Sequence, residues 1–342
     1  MSADLHRPEP LPHRAARAVD RSNVEAAVRQ LVEGKLLMVS DVYSTGVSIL
    51  AKLRTQLQPP GDDASFEDRR AFRQRMDEAS KRLLAPIDGH QLALAESPKI
   101  GFIKELYPRR DGAFVLPFRD VQALNSAWNW YKKGVHLAVL GHRVHPFFGT
   151  YVPARTQHLE LFGTWLAAYK GSRGFAIDVG TGCGVLALMM AKAKFGRVLA
   201  TDSNPNAIES VRREMDRLPK TPAIDLVCGD LLGDDPRLAD LIVFNPPWMQ
   251  GPVNSPLDAA LYFEPGLFER FFEAAATRLK PGGRVVMVFS NVIELVQPDV
   301  PHPISAELER GRFRAVSKMR RKAKGRKRVS REQYEIWELA LA

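Results

Sequence analysis

Phe175-Ala-Ile-Asp178-Val-Gly180-Thr181-Gly182-Cys183-Gly184, continuing through an apolar stretch to Lys194 and then into Arg197-Val-Leu-Ala-Thr-Asp202, decides how this chain folds. Phe175 to Val179 is an apolar run of strand length, Gly184 to Lys194 has the length and composition of a helix, and Arg197 to Asp202 is a second strand. A strand, a glycine turn, a helix and another strand make a unit whose two strands lie parallel. The glycines allow a tight turn and let a ligand approach the backbone beside a helix N-terminus.

The alternation continues outward. A helix from Gln157 to Tyr169 precedes it, and a capped helix from Asn204 to Leu218 follows. Ile224 to Cys228 and Leu241 to Phe244 are strands, Phe268 to Leu279 is a helix stopped by Pro281-Gly282-Gly283, and Arg284 to Phe289 is a strand. Phe313 to Met319 and Tyr334 to Leu341 close the sheet as an antiparallel pair. Such alternation predicts an α/β fold, Rossmann-like, with seven mostly parallel strands. Upstream, the spacing of Val24, Val28, Leu31 and Val32 and the charged stretch from Phe66 to Leu84 are helical, broken by Pro59-Pro60-Gly61 and Pro86. The expected organisation is a mainly helical N-terminal domain over 1–133, a linking hairpin over 134–156 and the α/β domain over 157–342.

A length of 342 residues and an apolar content of 45% suit two globular cores. No stretch approaches the roughly 18 apolar residues of a membrane span, and Met1 to Pro12 lacks the features of a secretory signal. A soluble, cytoplasmic protein is expected. Cys183 and Cys228 read as thiols, too few for a structural zinc site. His142 and His145 have no carboxylate or cysteine close by in sequence, so they read as exposed strand residues and no metal is expected.

Within the glycine turn, Gly180, Thr181, Gly182 and Gly184 are candidate cofactor contacts. The third glycine falls one place earlier than in the dinucleotide pattern, and Asp178 places a carboxylate near a cationic ligand group rather than a pyrophosphate. Asp202 ends the next strand, 20 residues beyond Gly182, where an acidic side chain accepts from ribose hydroxyls. Asp230 could meet an adenine amine or cap a helix. The most specific signal is Asn245-Pro246-Pro247-Trp248 at the end of a strand, since two prolines turn the chain out of the sheet. A planar amine is a poor nucleophile until acceptors hold its N–H groups; the Asn245 side chain and the Pro246 carbonyl can supply them, and Trp248 can stack on the flat substrate.

Asp178 to Gly184, Asp202, Asp230 and Asn245 to Trp248 together resemble the Rossmann-like S-adenosylmethionine-dependent methyltransferases, over roughly residues 134 to 342. Asn-Pro-Pro-aromatic marks a subset that methylates the glutamine amide of release factors and a ribosomal protein, or exocyclic amines of adenine or guanine in RNA or DNA. The resemblance implies S-adenosyl-L-methionine as cofactor, with Asn245 both touching it and orienting the substrate nitrogen. The glutamine enzymes carry a Pro-Arg-Pro-Glu-Thr-Glu stretch before the catalytic helix; here it reads Val152-Pro153-Ala-Arg155-Thr156-Gln157-His158, with the Arg displaced and both Glu absent.

The net charge of +10 is localised: residues 312 to 331 hold eleven of the 49 Lys and Arg and no acidic residue, leaving 38 basic against 39 acidic elsewhere. If Phe313 to Met319 runs parallel to the other strands, these charges overhang the end of the strand bearing Asn245. Arg155, Lys318, Arg320, Arg321, Lys324 and Arg326 are then candidate contacts to a phosphate backbone. Ribosomal RNA, or a ribosome-associated protein, is the expected partner. An RNA amine ranks above a glutamine amide, with a non-catalytic RNA- or ribosome-binding protein and a small-molecule methyltransferase as competing readings.

Overall fold

The computed structural model describes residues 5–11, 16–61, 64–153, 155–253, 256–323 and 331–342. It divides into a unit of residues 7–130 and a unit of residues 1–6 with 131–342.

The first unit runs β1 (Arg17–Val19), α1 (Val24–Val32), β2 (Leu37–Val39), α2 (Tyr43–Gln56), α3 (Phe66–Ser80), β3 (Leu83–Asp88), β4 (Gln91–Leu92), α4 (Gly101–Leu106), β5 (Phe114–Pro117) and α5 (Phe118–Lys133). Helices dominate by length, as their periodicity predicts, but they surround a five-stranded sheet that the sequence reading lacks. β1, β2 and β3 are parallel, and β4 and β5 pair antiparallel with β3. Four of these strands have two to four residues, too short to display an alternation, and the six-residue β3 begins with Leu83 and Leu84, at the end of the stretch read as helical.

The second unit opens with the hairpin β6 (Val135–Leu137) and β7 (His142–Val144), followed by α6 (Gln157–Ala168), β8 (Phe175–Val179), α7 (Val185–Lys192), β9 (Arg197–Asp202), α8 (Pro205–Arg217), β10 (Ile224–Cys228) and β11 (Ala239–Phe244). Then come β12 (Met249–Gln250), α9 (Pro256–Ala259), β13 (Tyr262–Phe263), α10 (Leu267–Arg278), β14 (Leu279–Ser290), α11 (Val292–Val296), α12 (Pro303–Glu309), β15 (Phe313–Lys322) and β16 (Gln333–Leu341). Seven strands form one sheet in the order β10-β9-β8-β11-β14-β16-β15. All are parallel except β16, inserted antiparallel between β14 and β15. The order reverses between β8 and β11, leaving a crevice at their C-terminal ends.

Alternating side chains bury both faces of the sheet. Ala176, Leu241 and Val243 pack with Phe162 of α6, Met190 of α7 and Val211 of α8. Ile177, Ile242 and Phe244 pack on the other face with Phe271 and Phe272 of α10 and Ile304 of α12. Among the described residues no helix is long and apolar enough to cross a membrane.

His142 and His145 are not free strand residues, as the sequence reading has them. Both are partly buried, the His145 N–H donates to Glu214 Oε2 at 3.0 Å, and His142 Nε2 lies 4.0 Å from Glu214 Oε1, which binds the hairpin to α8.

Candidate active site

The glycine turn leaves β8 at the reversal point. Gly180, Gly182 and Gly184 all have positive φ, at 63°, 55° and 82°, which is why three glycines stand here. A Cβ on Gly184 would lie 2.9 Å from the Val211 side chain, whereas a Cβ on Gly182 would meet nothing within 4 Å. The first position is glycine for packing; the second borders open space.

Two carboxylates hold this turn from below. Asp178 is fully buried, its Oδ2 accepting from the Thr181 hydroxyl at 2.7 Å and from the Ala187 N–H in the first turn of α7 at 2.9 Å. Burial pushes its carboxyl up to about 7 against the opposing pull of those two bonds, with the nearby Asp202 charge adding to the rise. Asp202 accepts from the Gly182 N–H and from the Asn204 N–H, each at 2.9 Å, and burial raises its carboxyl as well. Asp178 and Asp202 are therefore builders of the loop as well as candidate ligand contacts.

Asp230 follows the end of β10, where the Gly229 N–H donates to the Asp202 carbonyl at 3.0 Å. It is exposed, paired with Arg270, and followed by a turn rather than a helix, so it caps none.

Beyond Phe244, Asn245-Pro246-Pro247-Trp248 leaves the sheet at the same edge, and the chain rejoins structure at β12, paired with β13. Asn245 is partly buried and Pro246 is buried. The Trp248 indole N–H donates to the Val288 carbonyl at 3.3 Å, and its ring meets His158 edge-on at 5.5 Å and Tyr334 at 5.7 Å. Part of the face assigned to substrate stacking is thus committed to the fold. His158 is buried among these rings and burial lowers its pKa to about 4, which keeps it neutral.

β15 does run parallel to β11, so its C-terminal end lies at the edge bearing Asn245. Lys318, Arg320 and Arg321, however, are strand residues with partners. Lys318 sits 3.5 Å from the centroid of the Trp337 ring and 2.9 Å from Glu335, Arg320 pairs with the buried Glu335 at 3.1 Å, and Arg321 pairs with Glu160 at 2.7 Å. The loop lip expected from sequence is shortened accordingly. Lys324 and Arg326 lie outside the described residues. Arg155 approaches Glu332 at 3.3 Å and the Tyr334 hydroxyl at 3.4 Å. Glu332, Tyr334 and His158 stand with Arg155 and Trp248 at this edge and are not among the site residues expected from the sequence; no spacing signals them.

Two acceptors at this edge, Asp178 Oδ1 and Asn245 Oδ1, are buried without a partner among the described residues. Buried acceptors left without donors are uncommon in folded proteins. Together with the space above Gly182 and the carboxylate at the end of β9, they fit a ligand that offers an amine and hydroxyls.

A Rossmann-like sheet, a glycine turn tied to an acidic strand end and an Asn-Pro-Pro-Trp exit define a methyltransferase class of domain. Residues 162–298 match the family model described as "Methyltransferase small domain", and this stretch resembles the S-adenosylmethionine-dependent small-domain methyltransferases. The chain is 31% identical over 137 residues to a tRNA1(Val) (adenine(37)-N6)-methyltransferase of Phocaeicola vulgatus, covering 39% of this chain and 56% of that one. It is 33% identical over 129 residues to a ribosomal protein L11 methyltransferase of Pelotomaculum thermopropionicum, covering 38% and 36%. It is 31% identical over 153 residues to a ribosomal RNA small subunit methyltransferase C of Chromohalobacter salexigens, covering 45% and 40%. The chain spans about half the length of the first of these relatives and less of the other two.

Proposed function

We propose that this protein is an S-adenosylmethionine-dependent N-methyltransferase acting on a planar nitrogen of a translation-related macromolecule, an exocyclic amine of RNA. The observation that carries the reading is Asn245 Oδ1, at the end of β11 a buried acceptor without a donor among the described residues. An amine N–H given to this oxygen is oriented, and its lone pair is turned toward the cofactor side of the crevice. Asp178, the backbone of Gly180 to Gly184 and Asp202 would hold the cofactor, which when bound supplies an electrophilic methyl carbon. Pro246 and Pro247 fix the exit of the chain, so Asn245 is held in position before substrate arrives.

Support for RNA over protein comes chiefly from the relatives, two of which carry tRNA or ribosomal RNA in their names. Lys318, Arg320 and Arg321 of β15 add little, since each has an acidic partner. The test is tritium transfer from labelled S-adenosylmethionine into ribosomes and tRNA, comparing the protein with Asn245→Ala and then digesting with nuclease or protease. Label released by nuclease and lost in Asn245→Ala supports the reading. Label released only by protease replaces it with a protein amide or amine.

A further inference from the structure

We propose that the Arg155 guanidinium, held by Glu332 and Tyr334 at the sheet edge that bears Trp248, is the specificity-determining group for a guanine target, its free edge donating to O6 and N7 of the base. The inference rests on the RNA-amine reading and narrows it.

Arg155 stands just before α6 and Glu332 just before β16. Because β16 is antiparallel to β14, with Ser290 opposite Tyr334, the start of β16 lies at the same edge as the end of β11. Tyr334 connects the two groups, its hydroxyl 3.4 Å from Arg155 Nη1 and its ring 5.7 Å from that of Trp248. Arg155 therefore lies at the edge of the sheet that bears the Asn-Pro-Pro-Trp exit, with Tyr334 between it and Trp248.

Glu332 is buried, yet its contacts are long: 3.3 Å to Arg155 Nη1 and 3.4 Å to the Ser290 hydroxyl. Charge-assisted bonds usually run to about 2.7–2.9 Å. The carboxylate anchors the guanidinium without consuming it. Both Arg155 contacts use Nη1, and among the described residues Nε and Nη2 have no partner. The side chain is 31% exposed. A planar pair of N–H donors is thus held at the edge of the sheet that bears Trp248, with Tyr334 between them.

Such a pair matches two adjacent acceptors in one plane. Guanine offers O6 and N7 on one edge and carries its exocyclic amine on the other side of the ring, so one base can give an N–H to Asn245 while accepting from Arg155. Adenine puts an amino group where O6 would be, setting donor against donor. Loss of a bidentate base contact of this kind costs roughly tenfold to a hundredfold in discrimination. Glu332 and Tyr334 are positioning residues in this scheme.

The experiment uses unmodified tRNA and ribosomal RNA transcripts made with GTP or 7-deaza-GTP, labelled S-adenosylmethionine, and digestion to nucleosides. The expected result is label in N2-methylguanosine, with 7-deaza transcripts slower by about tenfold or more. Arg155→Lys should abolish that difference, and Glu332→Gln should lower kcat/KM for guanine while S-adenosylhomocysteine binding, which reports an intact fold, stays unchanged. Label in a methylated adenosine overturns the inference while keeping the RNA reading. Label in guanosine at equal rates from both transcripts overturns it too and assigns the Arg155 edge to a phosphate. Absence of label from all RNA, with label in ribosomal protein, overturns the RNA-amine reading itself.

Discussion

The Gly182 N–H donates to the Asp202 carboxylate at 2.9 Å, which ties the turn after β8 to the end of β9. Asp202→Ala removes the acceptor from that N–H and from the Asn204 N–H as well. Bonds to a charged acceptor contribute on the order of 1.5–3 kcal/mol each. S-adenosylhomocysteine affinity, measured by calorimetry, should fall by at least tenfold in Asp202→Ala and by less in Asp202→Asn. Equal affinities in all three proteins would remove Asp202 from the cofactor site.

The glycines of the turn should separate by what a methyl group meets. In Gly182→Ala the new Cβ enters open space at a positive φ, so stability should drop by only about 1 kcal/mol while cofactor binding is lost. In Gly184→Ala the Cβ presses on Val211, and the melting temperature should fall further. Thermal unfolding with and without S-adenosylhomocysteine distinguishes the two; a ligand-induced rise in Gly182→Ala equal to that of the unmodified protein would refute the assignment.

Asp178 predicts a pH dependence. Burial raises its carboxyl from 3.8 to about 7, so the folded state holds a proton that the unfolded chain releases. Its contribution to stability is therefore full below the unfolded value and is lost as pH rises through about 7. A cationic amine beside the orphaned Oδ1 favours the ionised form, so cofactor affinity should rise between about pH 6 and 8. Asp178→Asn should flatten both profiles, as followed by chemical unfolding and by ligand titration. A wild-type affinity that does not change across that range contradicts the placement of the ligand amine.

Much of the seven-stranded sheet is legible because its strands are five residues or longer and the central ones, β8 and β11, are buried on both faces. Phe175–Val179 and Ile224–Cys228 fall where the apolar runs place them, and the helices end within a residue or two of their capping signals. The β15 boundary is less legible: Arg320, Arg321 and Lys322 read as a charged loop, yet Glu335 and Glu160 draw two of them into contact with the fold. Those acids lie 15 and 161 residues away, so no local pattern reveals the pairing. Asp178 shows the same limit. Its place before the glycines marks the site, but its bond to Ala187 follows only from how α7 returns over the loop.

Trp248 separates packing from recognition. Trp248→Ala removes the ring from His158 and Tyr334 and should cost about 2–3 kcal/mol, below the cost of a fully buried aromatic. Trp248→Phe keeps most of that contact and loses the bond to Val288 O, at about 1 kcal/mol. If the ring also stacks on substrate, Trp248→Phe should raise KM more than it lowers kcat. Denaturant unfolding combined with steady-state kinetics gives both numbers, and an unchanged KM in the Phe variant would leave Trp248 a purely structural residue.

The β15 cations are expected to matter for stability before they matter for substrate. Glu335 is buried and receives Lys318, Arg320 and the Trp337 indole N–H at 2.9, 3.1 and 2.8 Å. Glu335→Ala leaves two cations and an indole N–H without their acceptor; Arg320 is exposed to water, so the cost falls mainly on Lys318 and the indole N–H, at about 1.5–3 kcal/mol. Lys318→Ala loses the ion pair and the contact with the Trp337 face, so it too should lower the unfolding free energy, by about 1–2 kcal/mol. RNA affinity should respond differently. A cation that releases counterions from a phosphate changes the slope of log affinity against log salt by about one unit when removed. For Lys318→Ala that slope should stay as it is, because the ammonium is already engaged; a slope reduced by about one would return Lys318 to the phosphate-contacting set and show that its pairing with Glu335 gives way when RNA binds.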